Sequence, residues 1–162
     1  MELSAVSKQF VDVKAKPEEV LALLRVVPDS AAHFPDVVAL EPEQGGWRWT
    51  FKGVDIGPIK AQLVYACRYE VDDASMSMHW TAIEGVGNGK LDGRWRIKPG
   101  SGGGTRLFLD NRFRIELPIP GLFKNKAGKI VGGENDRQIK EYLANLKRTF
   151  DGGDGRVSRL KT

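Results

Sequence analysis

The sequence predicts an α+β domain in which a curved antiparallel β-sheet wraps around a long C-terminal α-helix, with two short helices after the first strand. Three observations predict it. Apolar and polar residues alternate along five successive stretches, the pattern of antiparallel strands with one dry and one wet face. The links between these stretches are short and rich in turn formers, such as Gln44-Gly45-Gly46, Asp72-Asp73 and Gly100 to Gly104. The period then changes, and Ile130, Ile139, Tyr142, Leu143, Leu146 and Phe150 fall on one helical stripe.

Taken in order, the first strand spans Leu3 to Lys14 and gives way to a helix whose first turn holds Pro17. Glu18 and Glu19 sit where the helix dipole favours negative charge, and Val20, Leu21, Leu23 and Leu24 form the apolar stripe. Pro28 ends that helix or starts the second one, which covers Asp29 to Pro35. Trp47, Trp49 and Phe51 then alternate with Arg48, Thr50 and Lys52. A second alternation runs from Ala61 to Val71, a third from Ser75 to Ala82, a fourth from Leu91 to Lys98 and a fifth from Arg106 to Leu117. Short links favour a meander of neighbouring strands. Asp151-Gly152-Gly153 stops the final helix. Residues 1–151 therefore read as a single domain, and 152–162 as a polar, disordered tail.

At 162 residues the chain is long enough for one core and a cavity within it. An apolar fraction of 41% and a charged fraction of 28% are ordinary for a globular protein. No apolar run approaches the length needed to cross a bilayer, and the start, MELSAVSKQF, lacks the apolar stretch of a signal peptide. Cys67 is the only cysteine, which excludes an intramolecular disulfide and a cysteine-based zinc site and suits a cytoplasmic setting. The net charge of +4 is uneven. Residues 1–93 carry 9 Lys/Arg against 14 Asp/Glu, and residues 94–162 carry 16 against 7. The basic C-terminal third is either a solvated face or a contact for an acidic protein or an anionic membrane surface.

A strongly curved sheet cannot lie against one helix along its whole length, so side chains or a guest must fill the gap. Trp47, Trp49, Phe51, Tyr65, Tyr69, Trp80, Trp95 and Phe113 alternate onto the dry face, with Tyr142 opposite on the helix. Each ring taken singly is as readily core filling as pocket lining. The set, with its two tyrosine hydroxyls on the sheet, points to a pocket for an apolar ligand. Asn111 stands between Leu109 and Phe113 in the same row, so its amide should face inward and must find a partner. Backbone or trapped water is the ordinary partner; a ligand carbonyl or hydroxyl is the alternative. Asn135, one turn before Ile139, is a second polar candidate.

Catalytic patterns are sparse. The sequence has no HExxH, CxxC, GxSxG or phosphate-loop motif, and Ser101 to Gly104 joins two strands as a turn. His33 falls in the second short helix and His79 on the wet face if Trp80 points in, and a lone surface histidine is ordinarily just that. Glu84 and Asp92 flank Gly85-Val86-Gly87-Asn88-Gly89 and read either as solvated strand ends or as an acid–base pair at a cavity mouth. No metal site and no cofactor are expected.

Phe10 to Leu24 (FVDVKAKPEEVLALL), with its strand, proline and helix, and the later Phe34-Pro35-Asp36-Val37 resemble the SRPBCC superfamily, also called START-like or Bet v 1-like. Asp55 to Ala61 (DIGPIKA) and Gly85 to Leu107, ending in GGGTRL, resemble the carbon monoxide dehydrogenase G and polyketide cyclase branch. The resemblance covers about residues 6–150 and implies the helix-grip fold, with an apolar cavity between sheet and terminal helix for a lipid, quinone or polyketide-like ligand. The carbon monoxide dehydrogenase G proteins are associated with bringing a redox enzyme to membrane or quinone. Some members carry a hydrophobic C-terminal anchor, whereas the tail here, GGDGRVSRLKT, is polar.

Three functions follow as expectations. The first is binding or transport of an apolar small molecule, without catalysis. The second is a polyketide cyclase or dehydratase in which Tyr65, Tyr69 and Asn111 orient an enolate. The third is an accessory component of a redox enzyme complex that docks through its basic end. Nucleic-acid binding is not expected, because the aromatic side chains alternate inward instead of lying along an exposed basic groove.

Overall fold

The computed structural model describes residues 1–152. Strand β1 (Glu2–Val13) is followed by helices α1 (Pro17–Leu24) and α2 (Val27–Ala31). Strands β2 (Val37–Glu43), β3 (Gly46–Phe51), β4 (Val54–Ile56), β5 (Ile59–Ala61), β6 (Val64–Asp72), β7 (Ser77–Ala82), β8 (Gly89–Pro99) and β9 (Thr105–Glu116) come next, and helix α3 (Lys124–Phe150) closes the order. The tail expected over 152–162 lies, from residue 153 on, outside the described residues.

Seven strands form one curved antiparallel sheet in the order β1-β9-β8-β7-β6-β3-β2, and α3 packs across its inner face. The alternation read from the sequence is the alternation of burial: Leu107, Leu109, Phe113 and Ile115 of β9 are buried, while Arg106 and Arg112 are exposed. Helix α1 begins with Pro17 in its first turn beside Glu18 and Glu19, and buries Val20, Leu21 and Leu24 against the sheet. Helix α2 is shorter than the expected Asp29 to Pro35, because the chain must turn at Ala32 to enter β2.

One expected strand is broken. The alternation from Ala61 to Val71 belongs to two elements, β5 and β6, which part at Gln62 and Leu63. Strand β5 pairs with β4 in a separate hairpin, Ile56 facing Ile59 across Gly57-Pro58. Gly57 has φ +59°, a conformation that favours glycine in the first central position of such a tight turn. The side-chain parity persists through the break, which is why period alone reads the segment as continuous.

The interior divides in two. The larger core joins α1, α2, the middle of the sheet and the C-terminal half of α3 through Ile139, Tyr142, Leu143 and Leu146. The smaller one joins Ile56 of the hairpin, Phe113 and Ile115 of β9, Leu117, Ile119 and Ala127 at the start of α3. That first half of α3 contains Gly128, Gly132 and Gly133, each costing about 1 kcal/mol of helix propensity relative to alanine. Part of the positive charge of the C-terminal third is on the outer face of the sheet, where Arg94, Arg96, Arg106 and Arg114 meet Asp110, Asp12 and Asp92, and part is on α3. Among the described residues no helix is long and apolar enough to cross a membrane.

His33, expected within the second short helix, lies just beyond its end. It follows α2, is only 6% exposed, and lies between Asp29 O, 2.9 Å from Nδ1, and Thr149 Oγ1, 2.9 Å from Nε2. The arrangement suits a neutral ring that donates from Nδ1 and accepts at Nε2, and burial lowers the imidazole pKa below its ordinary value. The folded protein then binds fewer protons than the unfolded chain. Stability from this site is full above the unfolded pKa of about 6.5 and is lost as pH falls from there through the lower folded value. Urea unfolding should show a lower midpoint at about pH 5.5 than at about pH 7.5, with the difference reduced in His33→Gln. Asp12, Asp72, Glu84 and Asp151, whose carboxyl pKa values are lowered, act in a separate window below about pH 4.

Candidate functional site

The rings on the inner face of the sheet are packed mostly against one another. Trp49, Phe51 and Tyr65 stack with centroids 5.6 to 6.1 Å apart, and Phe34 stacks on Tyr142 at 3.8 Å. Tyr69 meets Trp80 at 6.1 Å, Trp80 meets Trp95 at 6.0 Å, and Trp95 meets Tyr142 at 5.9 Å. Their polar ends are also matched: Trp49 Nε1 donates to Tyr69 Oη at 2.7 Å, and Tyr142 Oη shares a hydrogen bond with Ser30 Oγ. Burial holds the hydroxyl pKa values of Tyr65, Tyr69 and Tyr142 above the ordinary tyrosine value, so all three stay neutral. A void of about 40 Å³ remains among these rings.

The larger hollow is displaced toward the hairpin. It measures about 100 Å³ and lies between the sheet, the β4–β5 hairpin and the middle of α3. Phe51, Tyr65, Leu91, Asn111, Phe113 and Ile115 supply the sheet wall. Val54, Ile56, Ala61 and Leu63 supply the hairpin wall, and Val131, Asn135, Gln138 and Ile139 the helix wall. Phe34, Tyr65, Leu91 and Asn111 border both spaces, so the two are neighbours with a shared partition.

Asn111 faces inward, and a side chain holds its amide oxygen. The indole Nε1–H of Trp80 donates to Asn111 Oδ1 at 3.2 Å. Because an indole can only donate, this bond fixes which end of the amide is oxygen. The amide nitrogen is left without a partner among the described residues, as is the Tyr65 hydroxyl. Asn135 is more committed: its Nδ2 donates to Ser7 Oγ at 2.9 Å, and Ser7 is the β1 residue paired with Asn111. Gln138 Oε1 is fully buried and has no hydrogen-bond partner among the described residues. An unmet acceptor of this kind costs about 1–3 kcal/mol in a dry interior.

Two charged side chains border the larger hollow, Lys52 and Glu134. Arg137 holds Glu134 through Nη2 at 2.9 Å, reaches Glu141 at 3.1 Å and also pairs with Asp36. This network ties α3 to the loop before β2. Glu84 and Asp92, the other carboxylates singled out from the sequence, are engaged elsewhere: Glu84 pairs with Lys90 at 2.5 Å, and Asp92 accepts from the Ala82 amide at 2.9 Å. His79 is exposed beside Glu70 at 3.3 Å. Among the described residues no cluster of His, Cys, Asp and Glu could hold a metal ion. The Cys67 thiol donates to Leu91 O at 3.2 Å, and burial pushes its pKa up to about 12.

Of the eleven residues expected at a ligand site, Phe51, Tyr65, Asn111, Phe113 and Asn135 border the larger hollow. Trp49, Tyr69, Trp80, Trp95 and Tyr142 border only the smaller one, and Trp47 borders neither. Sequence reasoning missed Phe34, Leu91, the hairpin residues and Gln138. The sequence did hold a signal for the hairpin in Ile56-Gly57-Pro58-Ile59, a tight turn between apolar residues. Gln138 left none, since a polar residue next to Ile139 on an amphipathic helix is ordinarily at the boundary.

The family model described as polyketide cyclase / dehydrase and lipid transport matches residues 4–151. The chain belongs to this family. Solved structures with the same fold include a protein from Deinococcus radiodurans, at 17% identity and TM-score 0.62 over 91% of this chain and 97% of that one. A Streptomyces aromatase/cyclase matches at 18% identity and TM-score 0.60, over 90% of this chain and 94% of the other. A START superfamily protein from Mycobacterium smegmatis matches at 16% and 0.59, over 89% and 97%. At such identities the likeness is one of fold, and it establishes the SRPBCC and START-like, helix-grip architecture. The matches do not single out the carbon monoxide dehydrogenase G branch. No curated protein matches the sequence significantly.

Gly93 of β8 lies opposite Asn111, and a Cβ there would stand 2.3 Å from Asn111 Oδ1 and 2.7 Å from Trp80 Nε1. The bond between those two side chains therefore requires glycine. Gly93→Ala should lose about 1–3 kcal/mol of stability through overpacking. Urea unfolding reads that loss, and a shifted indole N–H resonance for Trp80 reads the broken bond.

Proposed function

We propose that the protein binds and carries an apolar small molecule, such as a lipid, quinone or polyketide-like compound, in the hollow between the sheet and α3. The observation that carries this reading is the hollow itself: apolar walls from sheet, hairpin and helix, with an unpaired amide nitrogen on Asn111 and an unpaired hydroxyl on Tyr65. Few convergent polar groups in an apolar cavity are what orient a small guest. Size limits the guest. A cavity of about 150 Å³ holds benzene in another protein, so about 100 Å³ takes a buried portion no larger than a single ring or a short chain segment. The rest of a longer ligand extends through the mouth beside Lys52 and Glu134.

A cyclase or dehydratase activity is the second reading, supported by the family description and by the fold shared with the Streptomyces aromatase/cyclase. Tyr65 would then act as a neutral hydrogen-bond donor to an enolate oxygen. Carriage is favoured because Glu134, the one carboxylate among the described residues that borders the hollow, is already paired with Arg137. The same proposal places the protein in the cytoplasm and gives it a transient contact with an acidic protein or an anionic membrane surface. Leu122 at 87% exposure and Phe123 at 45%, next to Lys124 and Lys126, support such a contact near the start of α3.

Native mass spectrometry of protein purified from its own host should reveal a bound apolar species. Val131→Trp, which fills the hollow from the helix side, should abolish that species while leaving the far-ultraviolet circular dichroism unchanged. Repeated recovery of empty protein that takes up neither lipid nor quinone would reject the proposal.

A further inference from the structure

We infer that the turn before α3 is the face by which the protein docks on an anionic lipid bilayer, with Leu122 and Phe123 entering the interface and Lys124, Lys126 and Lys129 meeting the lipid phosphates. The inference rests on the carrier reading above, whose surface contact it assigns to one partner.

A helix N-terminus bears partial positive charge from its unsatisfied amides and is stabilised by acidic side chains. Helix α1 follows that rule, with Glu18 and Glu19 in its first turn. Helix α3 reverses it. Its first turn holds no acidic residue, no side chain caps it, and Lys124 and Lys126 add to the positive end of the dipole. Among the described residues neither these two nor Lys129 forms an ion pair, and the pairs made by α3 begin only at Glu134 and Arg137. Glu2 is the one acidic residue bordering the shallow groove between the start of β1 and Lys124 and Lys129. Glu116, opposite Glu2 on β9, is held by the N-terminal ammonium at 2.6 Å. Folding gains nothing from three lysines here, so their positive potential is available to an external anion.

The residues just before them are apolar and stand out into solvent. Leu122 is 87% exposed and Phe123 45%, and among the described residues no other two consecutive large apolar side chains are exposed. A loose loop is not the cause. Pro118 and Pro120 stiffen the turn, the Phe123 amide donates to Pro120 O at 3.0 Å, and Leu117, Ile119 and Ala127 are buried on either side of it.

Two protruding side chains offer too little area for a stable protein interface, which buries about 800 Å² on each partner. Their exposed neighbours Gly121, Asn125 and Lys126 add no apolar surface. A bilayer needs no matching pocket. It receives an apolar side chain anywhere on its surface and presents phosphates at the depth where lysine side chains end. The location also suits a carrier. Val131, about two turns beyond Lys124, borders the hollow, and Ala127 shares a core with Ile56 and Ile115, which border it too.

Sedimentation of the full-length protein with vesicles tests the inference, using pure phosphatidylcholine and an equal mixture of phosphatidylcholine and phosphatidylglycerol. Wild-type protein should bind the mixed vesicles at least about tenfold more tightly than the neutral ones, with the preference shrinking as salt rises. Replacing Lys124, Lys126 and Lys129 together by glutamine should abolish that preference. Leu122→Ser combined with Phe123→Ser should weaken binding to mixed vesicles about tenfold while the salt dependence remains. All five side chains are exposed, so both variants should keep the wild-type far-ultraviolet circular dichroism. Leu122→Trp should show blue-shifted emission with mixed vesicles, and unchanged emission overturns insertion. No binding of wild-type protein to mixed vesicles, or binding that both variants retain, overturns the docking face. Binding to polyglutamate in place of vesicles also overturns it and assigns the lysines to an acidic protein. Native mass spectrometry of the same samples separates the two readings. A bound apolar species in protein that ignores vesicles rejects docking alone, whereas vesicle binding lost in both variants, with no guest ever recovered, supports docking and rejects carriage.

Discussion

A straight helix can touch a curved sheet along only part of its length, and the rest of this structure depends on where α3 makes that contact. It does so in its C-terminal half, through Ile139, Tyr142, Leu143 and Leu146, where the rings of Trp49, Trp95 and Phe34 close the gap. Toward its N-terminus the helix meets the β4–β5 hairpin and the end of β9 instead, and a hollow is left between the two regions of contact. The cavity is thus a geometric remainder of packing a rod on a bowl. Its walls are dry because every strand presents alternate side chains to the inside.

The aromatic residues stabilise this arrangement chiefly as a packed cluster. Rings with centroids near 6 Å apart gain about 0.5–1.5 kcal/mol per pair beyond the area they bury. Such a cluster also orders the polar atoms within it. Trp80 can reach Asn111 only because Gly93 leaves room between them, and that bond commits the amide oxygen and leaves the nitrogen to other partners. Packing, backbone and polar orientation are here one arrangement, with a glycine in mid-strand as its condition.

Much of the fold was legible from period alone. The alternation through β8 and β9, the proline at the start of α1 and the stripe on α3 each name their element, because burial imposes the same rhythm on sequence and structure. The hairpin was not legible that way, since parity carries on from Ala61 through Leu63 into Tyr65 while the ladder breaks. The site was legible less well. Alternation tells which rings point inward but not which of them touch, so Trp49 and Trp80 read like Phe51 and Phe113 although only the latter pair reach the larger hollow. The burial of His33 was not legible because its partner, Thr149, lies far away in sequence on α3. Gln138 was invisible for a related reason: a missing partner is a property of the folded surroundings.

The three glycines in the first half of α3 bear on how a guest gets in. They lie on the stretch that walls the hollow, whereas the stretch beyond Ile139 has none before the helix ends. Opening free energy is therefore distributed unevenly along one continuous rod, and its glycine-bearing end frays at lower cost. On the carrier reading, a guest would enter and leave by local opening at that end, with the strands and their aromatic cluster staying intact, so that a few helical turns and not the stability of the domain would set the rate of exchange.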